Sequence, residues 1–213
     1  MLDHLAAPTD AAASAYPWLY IAEMEHRVAN EYALAVASIS LAAAKSEDAD
    51  VKAALRGAAD RLRDYAKVHR ALQAPVTTGL MDLAGYLNTL FQALARATLS
   101  ERGVRLTLIE LPVELDSQRC WRVGLIISEL ITNAVRHGFG GQSGAITVEM
   151  ARSAGDIQCW VNDNGQPVLN PAAGGGTRLV DSLAEDLGGF VARQYRGDGT
   201  TVCLSFPEFD GLS

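Results

Sequence analysis

Glu129, Asn133 and His137 recur at intervals of four within Ser128-Glu-Leu-Ile-Thr-Asn-Ala-Val-Arg-His-Gly-Phe139. On a helix that spacing lines up a carboxylate, an amide and an imidazole on one stripe, and leaves Ile126, Ile127, Leu130, Ile131, Ala134 and Val135 for the opposite one. A carboxylate beside an amide oxygen suits a hard cation such as Mg²⁺, which takes oxygen ligands and keeps waters and phosphates in its shell. The same three residues would also describe a solvated helix face. Downstream, Asp163 stands where a strand runs into Asn164-Gly165, and Gly165 lets the backbone approach a flat ring closely. Gly174-Gly-Gly176 precedes a predicted helix beginning near Thr177, where N–H groups at a helix start can hold phosphate oxygens. Near the N-terminus, His26 lies between Glu25 and Arg27, charges that make burial of this turn costly. A neutral imidazole nitrogen is a competent nucleophile towards a phosphoryl group, and Glu25 could accept the ring proton. Asn30, one turn later on the same face, could orient a water or a phosphoryl oxygen. Taken singly, each has a plainer reading: a surface histidine, a solvated asparagine, a turn aspartate, a linker.

Their order along the chain narrows the choice. Glu23-Met-Glu-His26-Arg-Val-Ala-Asn30 resembles the phosphoacceptor segment of the HWE type of sensor histidine kinases and their close relatives, and Glu129 to Gly138 resembles that family's N box. Trp160-Val-Asn-Asp163-Asn-Gly165-Gln-Pro-Val168 is similar to its first glycine box. Gly174-Gly-Gly176-Thr-Arg-Leu-Val180, followed by Leu187-Gly-Gly189, is similar to its second. Four motifs in the family's order are far more specific than any one of them. The resemblance covers roughly residues 17 to 206. It implies ATP and Mg²⁺ as cofactors, with the metal on Glu129 and Asn133 and the nucleotide held by Asn133, His137, Asp163, Gly165, Gly174, Gly176 and Thr177. It implies that Asp163 accepts a hydrogen bond from the adenine amino group and that the glycine-rich segment forms a lid. His26 becomes the phosphoacceptor, with Glu25 and Asn30 beside it, and a response-regulator receiver domain the partner that takes the phosphoryl group.

Such residues need two kinds of scaffold. From about Pro17 to Lys45 the chain is apolar at helical spacing (Leu19, Ala22, Val28, Ala33, Val36, Ile39, Leu41), without internal glycine or proline. Ser46-Glu-Asp-Ala-Asp50 is a polar turn, and Val51, Leu55, Ala58, Leu62, Tyr65, Val68 and Leu72 resume the period. The pattern predicts an antiparallel helical hairpin whose stripe is completed in a four-helix bundle, by a second copy in a homodimer or by the rest of the chain. Pro75 and Gly79 end it. After the break, a helix from Met81 to Ala97 and a strand at Val104–Ile109 are predicted. A helix capped by Asp116 or Ser117 follows, then strands at 145–150, 157–161, 190–195 and 201–206, with a helix at 177–187 between them. Helices on one face of a mostly antiparallel sheet make an α+β sandwich, the build of the family's ATP-binding domain. The expected layout is a short leader over 1–16, a phosphotransfer and dimerisation hairpin over 17–75, and an ATP-binding catalytic domain over 80–208.

Composition sets the outer limits. The chain has 213 residues, 49% hydrophobic and 20% charged, enough for one ordinary domain and a smaller one. A net charge of -7 supplies no basic footprint for nucleic acid. The three cysteines, Cys120, Cys159 and Cys203, lack metal-ligand spacing and read as small core residues in a reducing compartment. With no apolar stretch of about 20 residues, a cytoplasmic location without a membrane span is expected. Only about 16 residues precede the first predicted helix, too few for a sensor domain, so input is expected from a separate partner, or the chain is not itself a sensor. Two other functions remain open. One is a histidine phosphotransferase or response-regulator phosphatase with a degraded nucleotide site, suggested by Ala29 where the family usually has lysine, by Asn162 where the HWE type often has glutamate, and by Pro167 where the usual first glycine box has its second glycine. The other is a non-catalytic binding module on the same ATPase-like fold.

Overall fold

Asp48 sets the turn of an antiparallel helical pair. Its Oδ1 accepts the N–H groups of Asp50 at 2.8 Å and Val51 at 3.1 Å, satisfying donors that a first helical turn otherwise leaves orphaned. Helix α1 (Asp10–Lys45) ends at this polar segment and α2 (Ala49–Ala71) starts from it. The computed structural model describes residues 10–75, 78–166 and 175–209, with side chains from Met24 onward apart from Glu25. Across the pair, Arg63 Nη2 donates to Ser40 Oγ at 3.1 Å, and Ala43 and Ala59 are buried. The expected apolar stripe divides in two. Val28, Val36, Ile39, Leu55, Ala58 and Leu62 are half-buried, whereas Leu41 is 56% exposed and stands out with Met24, Leu34, Val51 and Tyr65. Each helix of a pair offers only one stripe to its neighbour, so a second apolar stripe stays in solvent.

The chain divides into two units, Met1–Ala66 and Lys67–Ser213. The second begins with the last turn of α2, and carbonyls at the end of that helix and just after it are gripped by side chains from further along. Tyr86 Oη donates to Ala71 O at 3.0 Å, Trp121 Nε1 to Leu72 O at 2.8 Å and Gln118 Nε2 to Pro75 O at 3.1 Å. A short strand, β1 (Leu80–Asp82), pairs antiparallel with β3 (Glu114–Asp116). Asp82 then accepts from Ala84 N and Gly85 N and so starts α3 (Leu83–Leu94). The helix expected from Met81 to Ala97 therefore starts at its cap and passes into a π-helical turn, Ala95–Leu99, and a 3-10 turn, Ser100–Arg102. Gly103, at φ +63, reverses the chain in a conformation that glycine adopts without strain.

Strand β2 (Val104–Ile109) follows, then α4 (Ser117–Asn133), β4 (Gly144–Ser153), β5 (Asp156–Asp163), α5 (Gly175–Asp186), β6 (Phe190–Arg196) and β7 (Gly199–Pro207). Asp116 caps α4 by accepting from Gln118 N at 2.8 Å. The large sheet has the order β2-β4-β5-β7-β6. Its pairings are antiparallel except between β2 and β4, which run parallel and are joined through α4. Alternation sends Ile146, Val148 and Met150, Ile157, Cys159 and Val161, and Val202, Leu204 and Phe206 to one face, where α3, α4 and α5 cover them in a single core. Ile126, Ile127 and Ile131 of α4 are almost wholly buried there, each stabilising the fold by about 2 kcal/mol. The end of β7 is fixed to the start of α4 by Arg119, which donates to Glu208 O at 2.8 Å and to Pro207 O and lies over the Phe206 ring. All three cysteines are buried and free, as the composition led one to expect. No helix among the described residues is long and apolar enough to cross a membrane.

Candidate functional site

The helical stripe that begins at Glu129 changes pitch. α4 is α-helical to Asn133, after which Ala134–Gly138 form a π-helical turn, a local widening that recurs at functional sites. Glu129 and Asn133 are half-buried on the stripe, whereas His137 lies in the wider turn and is exposed. That turn brings Gly138 against the end of β5. Gln166 N donates to Gly138 O at 2.6 Å, and a Cβ on Gly165 would fall 2.6 Å from the Gly138 carbonyl carbon and oxygen. Only glycine fits at 165, for reasons of space.

Asp163 is held at this junction. Its Oδ1 accepts Gly165 N at 2.9 Å, and it also accepts hydrogen bonds from Thr200, its partner on the neighbouring strand β7. Burial holds its carboxyl above the ordinary carboxylate range, outweighing the opposing pull of the Gly165 and Thr200 donors. From the other side, the first turn of α5 closes on α4 so tightly that a Cβ on Gly176 would overlap Glu129 Oε1. A carboxylate packed at a helix N-terminus is electrostatically favoured.

Together these elements enclose a cavity of about 450 Å³. Glu129, Asn133, His137, Asp163, Gly176 and Thr177 all line it, with Leu130, Ala134, Val161, Val180 and Val202 as apolar wall. Gly165 stands behind Asp163 rather than in the wall. Gly174 and Pro167 fall outside the described residues, as does the side chain of Glu25. Arg178 is exposed and does not line the cavity. His26 and Asn30 belong to the first unit, on α1, and both are exposed one helical turn apart. Asn162, lying between the cavity residues Val161 and Asp163, points to the opposite face of the sheet, where it accepts from Thr201 Oγ1 at 2.9 Å.

Sequence reasoning missed Gln166, Arg193, Tyr195 and Thr200 in the lining. Thr200 comes from a strand distant in sequence and is placed by register alone. An available signal was Arg193, a charged residue at the same parity on β6 as the half-buried Val191.

The donor set suits a purine nucleotide. An apolar wall with one carboxylate fixed at its edge suits a base and its amino group, and a carboxylate and amide near a helix start suit phosphates and a phosphate-bound cation. Among the described residues no cluster of three or more His, Cys, Asp or Glu could hold a metal by itself.

Residues 92–206 match the family described as histidine kinase-like ATPase domain, and residues 23–98 the family described as histidine kinase. The chain is 28% identical over 196 residues to the sensor histidine kinase PdtaS of Mycobacterium tuberculosis, covering 88% of this chain and 39% of that protein. It is 27% identical over 203 residues to the blue-light-activated histidine kinase 2 of Erythrobacter litoralis, covering 88% and 56%. It thus spans about two fifths of the first relative and little over half of the second. The solved histidine kinase domain of an Erythrobacter litoralis blue-light activated histidine kinase superposes with a TM-score of 0.56 at 20% identity, covering 84% of this chain and 95% of that one. At that identity the likeness establishes the fold.

Proposed function

The chain belongs to the histidine kinase family, and from that premise we propose that it phosphorylates its own His26 from ATP and passes the phosphoryl group to an aspartate of a response-regulator receiver domain. The single observation that carries this reading is the cavity in which Glu129, Asn133, His137, Asp163, Gly176 and Thr177 converge. Asp163 is the acceptor for the adenine amino group, fixed by Gly165 and Thr200. Asn133 and Glu129 would hold Mg²⁺, and His137, Gly174, Gly176 and Thr177 the phosphates. The metal, when bound, offsets phosphate charge during transfer, as in phosphoryl-transfer sites generally.

The chain's own part is nucleophile and positioning. A His26 ring nitrogen attacks the γ-phosphorus, the bond to the β,γ-bridging oxygen breaks, ADP leaves, and the ring proton passes to Glu25. Asn30 orients the water that later removes phosphate from the partner. Residues 17–75 are the phosphotransfer and dimerisation hairpin and 80–208 the catalytic domain. The exposed Met24, Leu34 and Leu41 mark the face that a second copy covers in a cytoplasmic homodimer. A phosphotransferase with a degraded nucleotide site rested partly on Asn162. Because that side chain turns away from the cavity, its identity leaves the nucleotide wall unchanged, which favours the kinase.

Calorimetry with ATP, with and without Mg²⁺, tests the site. Binding strengthened by Mg²⁺ is expected, and Asn133→Ala should lose most of that strengthening while keeping the metal-free affinity. Absence of ATP binding at millimolar Mg²⁺ would hand the chain to the phosphotransferase reading.

A further inference from the structure

Resting on the kinase reading, one group in the cavity has no assigned part. Arg193 projects from the edge strand β6 to the core side of the sheet, beside Val202, with its side chain 22% exposed. Its Nη2 donates to Asp181 Oδ1 at 2.6 Å. A guanidinium carries five N–H donors in a rigid fork. Asp181 accounts for one of them and is its hydrogen-bond partner among the described residues. A guanidinium with donors left over, in the wall of a cavity, is placed for a ligand rich in acceptors.

Position decides which part of a nucleotide it meets. Across β5, β7 and β6 the register aligns Val161, Val202 and Arg193 in one row, and Asp163, Thr200 and Tyr195 in the next. Arg193 is thus on the apolar floor next to the Asp163 row. Strand spacing sets it about 10 Å from the β5 side of the floor, a gap that a purine and its flanking side chains fill. Its partner Asp181 lies four residues past Thr177, about 6 Å along α5 from the turn assigned to phosphates.

We propose that Arg193 is a base-contacting residue that donates to ring-nitrogen acceptors of adenine while Asp163 accepts from the exocyclic amine, and that Asp181 is the positioning residue that aims its fork. Adenine presents both an amino donor and ring-nitrogen acceptors, so the pair reads complementary features of one base.

The test is equilibrium binding of ATP, ADP and adenosine to the full chain, unaltered and as Arg193→Met, Arg193→Lys and Asp181→Asn. Arg193→Met keeps the apolar stem, and thermal unfolding of each variant reports on the fold. Loss of a charged hydrogen bond predicts affinity lower by about tenfold or more for Arg193→Met, by the same factor for all three ligands. Arg193→Lys should recover part of it, and Asp181→Asn should show a smaller loss, again equal across ligands. A loss confined to ATP and ADP would place Arg193 on the phosphates and overturn the assignment, as would unchanged affinity in Arg193→Met. Failure of the unaltered chain to bind any of the three would instead remove the kinase reading itself.

Discussion

Replacing Gly165 with alanine attacks the nucleotide site through backbone packing alone. The new Cβ would stand 2.6 Å from the Gly138 carbonyl carbon and oxygen and 2.8 Å from its Cα, about 1 Å inside an ordinary contact. The obstacle is main chain, so no side chain can rotate away. Either the end of β5 or the π-helical turn must move, and the Gln166 N to Gly138 O hydrogen bond, 2.6 Å long, lies in the path of that movement. Overpacking of this kind costs about 1–3 kcal/mol, and losing the hydrogen bond adds about 1 kcal/mol. A destabilisation of about 2–4 kcal/mol is expected, read from urea unfolding midpoints. Gly165 N also fixes the Asp163 carboxylate at 2.9 Å, so ATP affinity should drop by about tenfold or more, as for a lost hydrogen bond to a charged group. Gly57→Ala is the control. Nothing lies within 4 Å of its added Cβ in the interior of α2, and it should gain up to about 1 kcal/mol from helix propensity. A Gly165→Ala protein that unfolds at the parental urea concentration and binds ATP as tightly would refute the packing argument.

Two further outcomes follow from burial. Because burial raises the Asp163 pKa, the folded state binds its proton more tightly than the unfolded chain, and ionisation costs native stability. That cost is complete above the raised folded pKa, shrinks as pH falls through it, and vanishes below the unfolded value of about 3.9. Asp163→Asn should therefore melt higher than the parent at pH 7, with the gap closing in acid, while ATP binding is lost; a lower melting temperature at pH 7 would contradict the sign. On α1, Leu34 and Leu41 are 68% and 56% exposed. Changing both to glutamate should turn a dimer into a monomer in light scattering with the helical signal retained, and a parental mass for the double variant would move the interface elsewhere.

Much of the scaffold was legible because periodicity and caps act locally. Val104–Ile109 alternates and is the strand β2. Asp116 starts α4 where a capping residue precedes an apolar run. The polar turn after Lys45 separates two helices. What stayed hidden depends on tertiary approach. A π-helical turn at Ala134–Gly138 leaves no propensity signal, since it arises where Gly138 meets Gly165. The parallel pairing of β2 with β4 is a choice of neighbour, not of residue type. The stripe of α1 and α2 read as one continuous band, yet the two helices share only part of it and leave Leu41 in solvent. In the cavity, Glu129, Asn133 and Asp163 were recognisable as motif residues. Thr200 and Arg193 reach it through strand register, which no local window contains.

The most direct measurement is transfer of label from γ-labelled ATP, with Mg²⁺, to the purified full chain and to His26→Gln. His26 is on an exposed helix position, where substitution shifts stability by no more than about half a kcal/mol, so any loss of label reports chemistry rather than unfolding. The expected result is acid-labile, base-stable label on the parent, absent from His26→Gln and passed to a receiver domain when one is added. Unlabelled parent that nevertheless binds ATP, or His26→Gln labelled as strongly as the parent, would contradict phosphorylation of His26.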